Sequence, residues 1–187
     1  MDFPNSELWN YSTQIWALPE VEANCLALQN DFDANINMLF YCCWVGSKNL
    51  CLSDDDLQIL IDTIQPWQTI IKPLRESRKM MQQQAIAMPA DLKDNTINNM
   101  SEMELNAEHM AQIALEKVLK PSDIAACNKS NETQNNSVAC SLKNAQAYLN
   151  TLDNISSEDE IMLLINPFLS AIFQDEEAVQ MAMMELA

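Results

Sequence analysis

The sequence predicts an all-α protein, a single-domain bundle of about six to eight helices. Three observations carry that reading. Apolar residues make up 48% of the 187-residue chain, enough for a sizeable core. Glycine occurs once, whereas Leu, Ile, Met, Ala, Gln and Glu, all good helix formers, are frequent. No stretch alternates apolar and polar residues over strand length; the apolar positions recur at helical spacing instead.

The first helix reads from about Ser6 to Ala17, with Asn5 or Ser6 as N-cap and Leu8, Trp9, Ile15 and Trp16 as its apolar mass. Pro19 suits the first turn of a second helix reaching about Asn30, in which Val21, Cys25, Leu26 and Leu28 hold helical spacing. After a turn at DFDAN, residues 35–45 are apolar nearly all round, which places the third helix at the buried centre of the bundle. Gly46, the single glycine, is expected to end it in the left-handed conformation. Ser53 and Asp56 form a capping box for a fourth helix carrying Leu57, Leu60, Ile61 and Ile64. Pro66 is expected to break or kink that helix, after which Trp67, Ile70, Ile71 and Leu74 resume the stripe and helix continues toward Met88.

Residues 89–100 read as a polar linker, and Ser101 with Glu104 as a capping box for a helix that Pro121 stops after about Leu119. Residues 128–137, NKSNETQNNS, are polar and low in complexity and read as a mobile insert. Helical spacing returns from Val138 to Leu152; Ser157 and Glu160 cap a further segment, interrupted by Pro167. Residues 175–187 read as a Met-rich amphipathic tail.

The formal net charge is −17, unevenly spread. Residues 1–65 carry ten acids against one lysine, residues 66–120 are neutral with seven of each sign, and residues 121–187 carry ten acids against two lysines. Such a surface repels phosphate, so direct nucleic-acid binding is not expected, while a basic protein partner, or mimicry of DNA, fits the charge. The chain opens without a basic, then apolar, signal pattern, and MLFYCCWV is far short of the ~20 residues that span a bilayer. A cytoplasmic protein with reduced thiols and no membrane partner is the expectation. Six cysteines and the single His109 make no zinc motif, so neither metal nor cofactor is expected. Cys25, Cys42 and Cys43 read as small buried hydrophobes. Cys127 and Cys140 flank the polar insert, which a disulfide between them would close in an oxidising compartment.

KPLRESRK, residues 72–79, holds the only two arginines. On a helical wheel of residues 67–81, Trp67, Ile71, Leu74 and Met81 cluster on one side and Lys72, Arg75 and Lys79 on the other, with Arg78 on the apolar side. Arg78 is therefore expected to be partly buried and to require a carboxylate, and Arg75 to lie exposed for a partner or for one of the same acids. The acids on offer are Glu104 and Glu108, which with Gln112 form a ridge at spacing four; Glu108 is the first choice for Arg78. Trp67, Arg75, Arg78, Glu104, Glu108 and Gln112 make up the candidate cluster, either an interhelix ion-pair network or a binding pocket built on one. Asn37, on the apolar third helix, reads as a buried amide bonded to backbone. His109 falls off the apolar face and reads as solvated, and no Ser or Cys stands near it in the pattern of a catalytic triad, so no catalytic residue is assigned.

Residues 7–44, ELWNYSTQIWALPEVEANCLALQNDFDANINMLFYCCW, resemble the opening of a small uncharacterised proteobacterial family whose segments run ELW, P-x-V, CLxLQD and DVNxLLxCxW. PWQTIIKPLRESRK and ELNAE resemble its PLRxxR and ELxAE segments, and NAQAYL its Asn-x-x-x-Tyr-Leu. The likeness covers most of residues 7–120 and part of 144–152. That family is a domain of unknown function, so the resemblance implies a bacterial cytoplasmic protein and supplies no activity. The chain departs from the pattern at Asn30 and Asn35, where Asp is expected, and at Asp33, where Gly is expected. Any chemistry resting on those two acids is absent here, and the segment 123–139 is peculiar to this chain. Three functions compete: a non-enzymatic acidic interaction or regulatory protein, a binder of small carboxylate or phosphate ligands or an enzyme with a cleft at the Arg/Glu cluster, and a DNA mimic.

Overall fold

Every residue of the apolar stretch Ile36–Gly46 is buried, and the rest of the chain is arranged around it. The computed structural model describes residues 3–85, 87–127, 136–155 and 157–186. Among them eight α-helices follow in order: α1 (Glu7–Trp16), α2 (Val21–Phe32), α3 (Ile36–Gly46), α4 (Asp54–Gln83), α5 (Ala90–Val118), α6 (Asn136–Leu149), α7 (Glu158–Phe173) and α8 (Glu176–Leu186). A 3₁₀ turn, Pro121–Asp123, follows α5, and the described residues hold no strand beyond an isolated antiparallel bridge between Leu50 and Ala126. The protein is an all-α single-domain bundle with α3 at its centre.

Three side chains of α6 fasten α3 from end to end. Asn144 donates Nδ2 to Cys42 O (3.2 Å) and Leu50 O (2.9 Å) and accepts Leu52 N–H (2.9 Å), which holds the chain as it leaves α3. Ser141 donates to Cys43 O at 3.2 Å. At the other end Tyr148 Oη accepts the N–H of Asn35, at 2.7 Å, and Asn35 in turn caps α3 by accepting Asn37 N–H at 2.9 Å and Met38 N–H at 3.4 Å. Asn144, Tyr148 and Leu149 are the residues of NAQAYL that match the Asn-x-x-x-Tyr-Leu pattern. Asn at position 35 caps as Asp would.

Two departures from expectation concern positive φ. Gly46 is the last residue of α3 and no glycine has positive φ. The absent side chain serves packing instead: a Cβ on Gly46 would collide with the backbone of Ser141 on α6. The left-handed turn falls on Asn49 (φ 61°). Asp33 ends α2 at φ 55°, a conformation that glycine adopts freely, which explains the Gly expected at this place in the family pattern.

The other departures concern helix ends. α4 runs unbroken through Pro66 and Pro73, and α7 through Pro167. All three prolines are exposed. Each frees the carbonyl four residues earlier, at Asp62, Thr69 and Leu163, and those residues also face water, so solvent replaces the lost bonds. The polar stretch 89–100 is helix, not linker, so Ser101 lies inside α5 and caps nothing. Its apolar signal is weak because no described residue between Ile71 and Ala111 is buried. α4 ends at Gln83, short of Met88. Most of the expected polar insert, residues 128–135, lies outside the described residues, and Asn136 and Ser137 already belong to α6. Among the elements that matched expectation are the capping box of Ser53 with Asp56 and the N-caps Ser6 and Ser157. α8 buries Ala178, Val179 and Ala182, leaving Met181 and Met184 exposed.

Gly46→Ala should lower stability by about 1–3 kcal/mol, the usual cost of overpacking, because the opposing atoms include the Ser141 backbone N and Cα, which cannot rotate away. Asn49→Gly, at the true left-handed residue, should change it by less than about 0.5 kcal/mol. Urea melts of the two variants check the contrast.

Candidate functional site

Arg75 lies one helical turn beyond Ile71, which is fully buried, and extends the stripe Leu57, Leu60, Ile64, Ile71 toward the place where α4 leaves the core. α5 runs back antiparallel beside it. Arg75 donates Nε to Glu104 at 2.9 Å and Nη2 to Glu108 at 2.6 Å. Arg78 donates to both oxygens of Glu104, Nε at 2.6 Å and Nη2 at 3.3 Å. The second oxygen of Glu108 accepts from Asn37 Nδ2 on α3. Asn37 Oδ1 accepts Gln112 Nε2 at 2.8 Å, and Gln112 Oε1 accepts Ser12 Oγ on α1 at 2.6 Å. Seven side chains thus form one continuous polar chain, Arg78–Glu104–Arg75–Glu108–Asn37–Gln112–Ser12, that links four helices.

Arg78 is partly buried and paired with a carboxylate, as expected. Arg75, expected to lie exposed for a partner or for one of the same acids, is the deeper, with 14% of its side chain exposed against 22% for Arg78, and it bridges both acids. Arg78 pairs with Glu104, not Glu108. A wheel over residues 67–81 alone centres on Leu74 and Met81, which are only partly buried. At ~100° per residue, Arg75 falls within ~40° of Ile71, so the stripe that begins at Leu57 includes it. Asn37 spends its amide on side chains of α5, not on backbone. Trp67 is outside the chain and packs against the hydrophobic core. Ser12 was missed; its only signal is a small polar residue one turn after buried Leu8. His109 is half-buried rather than freely solvated: its ring stacks on Trp9 (4.1 Å, 11°) and lies 4.4 Å from Phe3, and burial lowers its pKa. Lys72 and Lys79 do lie on the exposed flank, donating to Asp33 (2.6 Å) and Asn30 (3.0 Å) at the end of α2.

The two glutamates titrate in opposite directions. Burial pushes Glu104 upward, but hydrogen bonds from Arg78 and Arg75 and the charge of both guanidinium groups outweigh it, so its carboxyl lies below the ordinary range. For Glu108 burial prevails over the Asn37 bond and the Arg75 charge, and its carboxyl lies above that range.

A cleft of about 430 Å³ lies elsewhere, where α1 begins and α5 ends. Trp44, Lys48, Glu116, Lys117 and Lys120 are among its walls, so three of the eight lysines of an acidic chain meet there. The Glu116 carboxylate sits on the N-terminus of α1, accepting from Ser6 Oγ (2.5 Å), Glu7 N (3.3 Å) and Leu8 N (3.3 Å). Lys48 pairs with Glu7 at 3.3 Å and stands 5.1 Å over the Trp44 ring.

Residues 7–115, more than half of the chain, match the model of a family described as a protein of unknown function, DUF2390. The chain belongs to this family. No curated protein and no solved structure matches it. All seven members of the polar chain fall within the matched residues, and α6, α7 and α8 lie beyond them. The segments that carried the family resemblance, around Asn37, Arg75 with Arg78, and Glu104 with Glu108, come from separate stretches of sequence and meet in this one structure.

Arg75→Ala should cost about 3 kcal/mol, because it leaves Glu108 buried beside an amide and no cation. Arg78→Ala should cost less, since Glu104 keeps Arg75; urea melts rank the two. A second outcome concerns pH. Glu104, depressed, contributes stability at neutral pH that is lost as pH falls through its folded-state pKa. Glu108, raised, costs stability while charged, and the cost disappears as pH falls below the ordinary glutamate value of about 4.3. From about pH 7 to about pH 3, therefore, the stability deficit of Glu104→Gln relative to the parent should narrow and that of Glu108→Gln should widen. Melts of both variants across that range read the two slopes.

Proposed function

We propose that this member of the family is a non-enzymatic interaction protein that docks a protein partner through its α4–α5 arm. The observation that carries this reading is the absence of any buried residue, among those described, between Ile71 and Ala111. Two long helices are maintained there with little core to justify them. Their exposed apolar side chains include Met80, Leu92, Met103 and Leu105, the last two each 56% exposed. Methionine is flexible and polarisable and suits contact with another protein. The polar chain at the base supports the same reading: its guanidinium and carboxylate groups answer one another, which is the arrangement of a structural clamp rather than of groups held ready for a substrate. The acidic segments on either side of the neutral arm favour a partner with basic surface around an apolar centre.

The test is an affinity capture with mass spectrometry from the native bacterium, comparing the parent chain with Met103→Glu/Leu105→Glu. Both substitutions fall on exposed positions, so the melting midpoint should stay within a few degrees of the parent. A partner retained by the parent and lost by the variant is the expected result. An unchanged set of retained proteins would remove the arm from consideration.

A second reading rests on the lysine cleft. Three ammonium groups near an aromatic wall favour a small carboxylate or phosphate ligand, although the cleft lies at α1 and α5 and not at the Arg/Glu cluster. On this reading citrate or inorganic phosphate raises the melting midpoint of the parent and not of Lys117→Ala/Lys120→Ala; no shift with either anion eliminates it.

A further inference from the structure

Outside the matched family residues, Cys127 and Cys140 converge with Cys51 so that the three sulfurs lie within 4.8 Å of one another. We propose that these three residues form a thiol–disulfide exchange site, with Cys127 as the shared sulfur and Cys51 and Cys140 as its alternative partners. Cys127 Sγ lies within bonding reach of both Cys51 Sγ and Cys140 Sγ. A sulfur forms one disulfide at a time, so Cys51 and Cys140 are mutually exclusive partners of Cys127. The backbone supports either. Cα separations are 5.0 Å for Cys51–Cys127 and 6.7 Å for Cys127–Cys140, both inside the span of about 4.4–6.8 Å that a disulfide bridges.

The site is assembled by the fold. Cys51 N–H donates to Ala125 O and Cys127 N–H to Asn49 O, each at 3.0 Å, around the Leu50–Ala126 bridge, which sets Cys51 opposite Cys127. Cys140 stands on α6 next to Ser141, whose hydroxyl is tied to α3. Cys140 is buried, whereas Cys51 and Cys127 are partly exposed. The other three cysteines are enclosed in the core, where burial, with the nearby Glu22 charge adding to it, pushes the Cys25 thiol up to about 12 and burial also raises Cys42 and Cys43.

The exchange needs no outside oxidant. The partly exposed Cys51 thiol releases its proton to solvent, and the thiolate attacks Cys127 Sγ of the Cys127–Cys140 pair. The Cys51–Cys127 bond forms as the Cys127–Cys140 bond breaks; the electron pair leaves on Cys140 Sγ, which takes up a proton. One disulfide and one thiol stand on each side of the step. Its effect is to move the thiol from an accessible position to a buried one, and the reverse step brings it back.

The experiment uses the full chain equilibrated in a glutathione/glutathione disulfide buffer, trapped with excess maleimide under denaturing conditions and digested at low pH. Peptide mapping is expected to find both linkages in one preparation, with the alkylated thiol divided between Cys140 and Cys51. Cys140→Ser and Cys51→Ser should each leave a single linkage, Cys51–Cys127 and Cys127–Cys140 respectively. One linkage only in the parent chain, with the third cysteine always alkylated, overturns the proposal without reference to any variant. So does alkylation of all three. Uptake of one equivalent of zinc by the reduced chain, with protection of all three thiols from maleimide, would replace it with a metal site.

Discussion

The Arg75 guanidinium is the constraint on which the rest of the arrangement depends. It stands where the α4–α5 pair leaves the core, largely removed from water, and a charge so placed requires partners with suitable geometry. Glu104 and Glu108 supply them from one helix at spacing four. Glu108, drawn inward, then has a carboxylate oxygen facing α3, and Asn37 fills that need; Asn37 in turn engages Gln112, and Gln112 engages Ser12. Each link follows from leaving no buried polar group unanswered. Apolar burial is non-directional and does not by itself choose among rotations of α4 against α5 and of α5 against α1. The directional bonds select one of them.

A separate device positions α3. Its own surface is almost uniformly apolar and carries little information about orientation. Orientation comes from α6, whose Ser141, Asn144 and Tyr148 address backbone groups at both ends of α3. The cysteine site is adjacent to this seam, since the segment that Asn144 holds at Leu50 and Leu52 includes Cys51. The linkage made by Cys127 therefore acts on the loop that follows the central helix.

Much of the fold was legible in the sequence because helix signals are local. Caps at Ser6, Ser53 and Ser157 and the continuous apolar run of α3 depend on residues a few positions apart. The errors arose where a signal had two physical meanings. Glycine implies either positive φ or close approach, and at Gly46 the second applies. Proline inside a helix breaks it when the freed carbonyl is buried, but here the carbonyls face water. The stretch 89–100 looked like linker because a helix that buries nothing fully has no apolar stripe. At the candidate site, residue types and helices were readable, while the pairing was not. Which arginine lies deeper depends on the whole of α4, and the Asn37–Gln112–Ser12 extension joins three helices whose sequence separation conceals it. The convergence of Cys51 with Cys127, 76 residues apart, left no trace in spacing.

The close approach of Gly46 to Ser141 has a mechanical meaning. Where two helices touch through side chains, rotamer changes absorb small displacements. Here backbone meets backbone, and no side chain on Gly46 can rearrange to take up slack. α3 and α6 therefore have less room to slide or turn past each other than helices that meet through flexible side chains. A push or pull on the exposed arm reaches the interior through the hydrogen-bonded side chains at its base, and what it meets there is a fixed anchor rather than a yielding core.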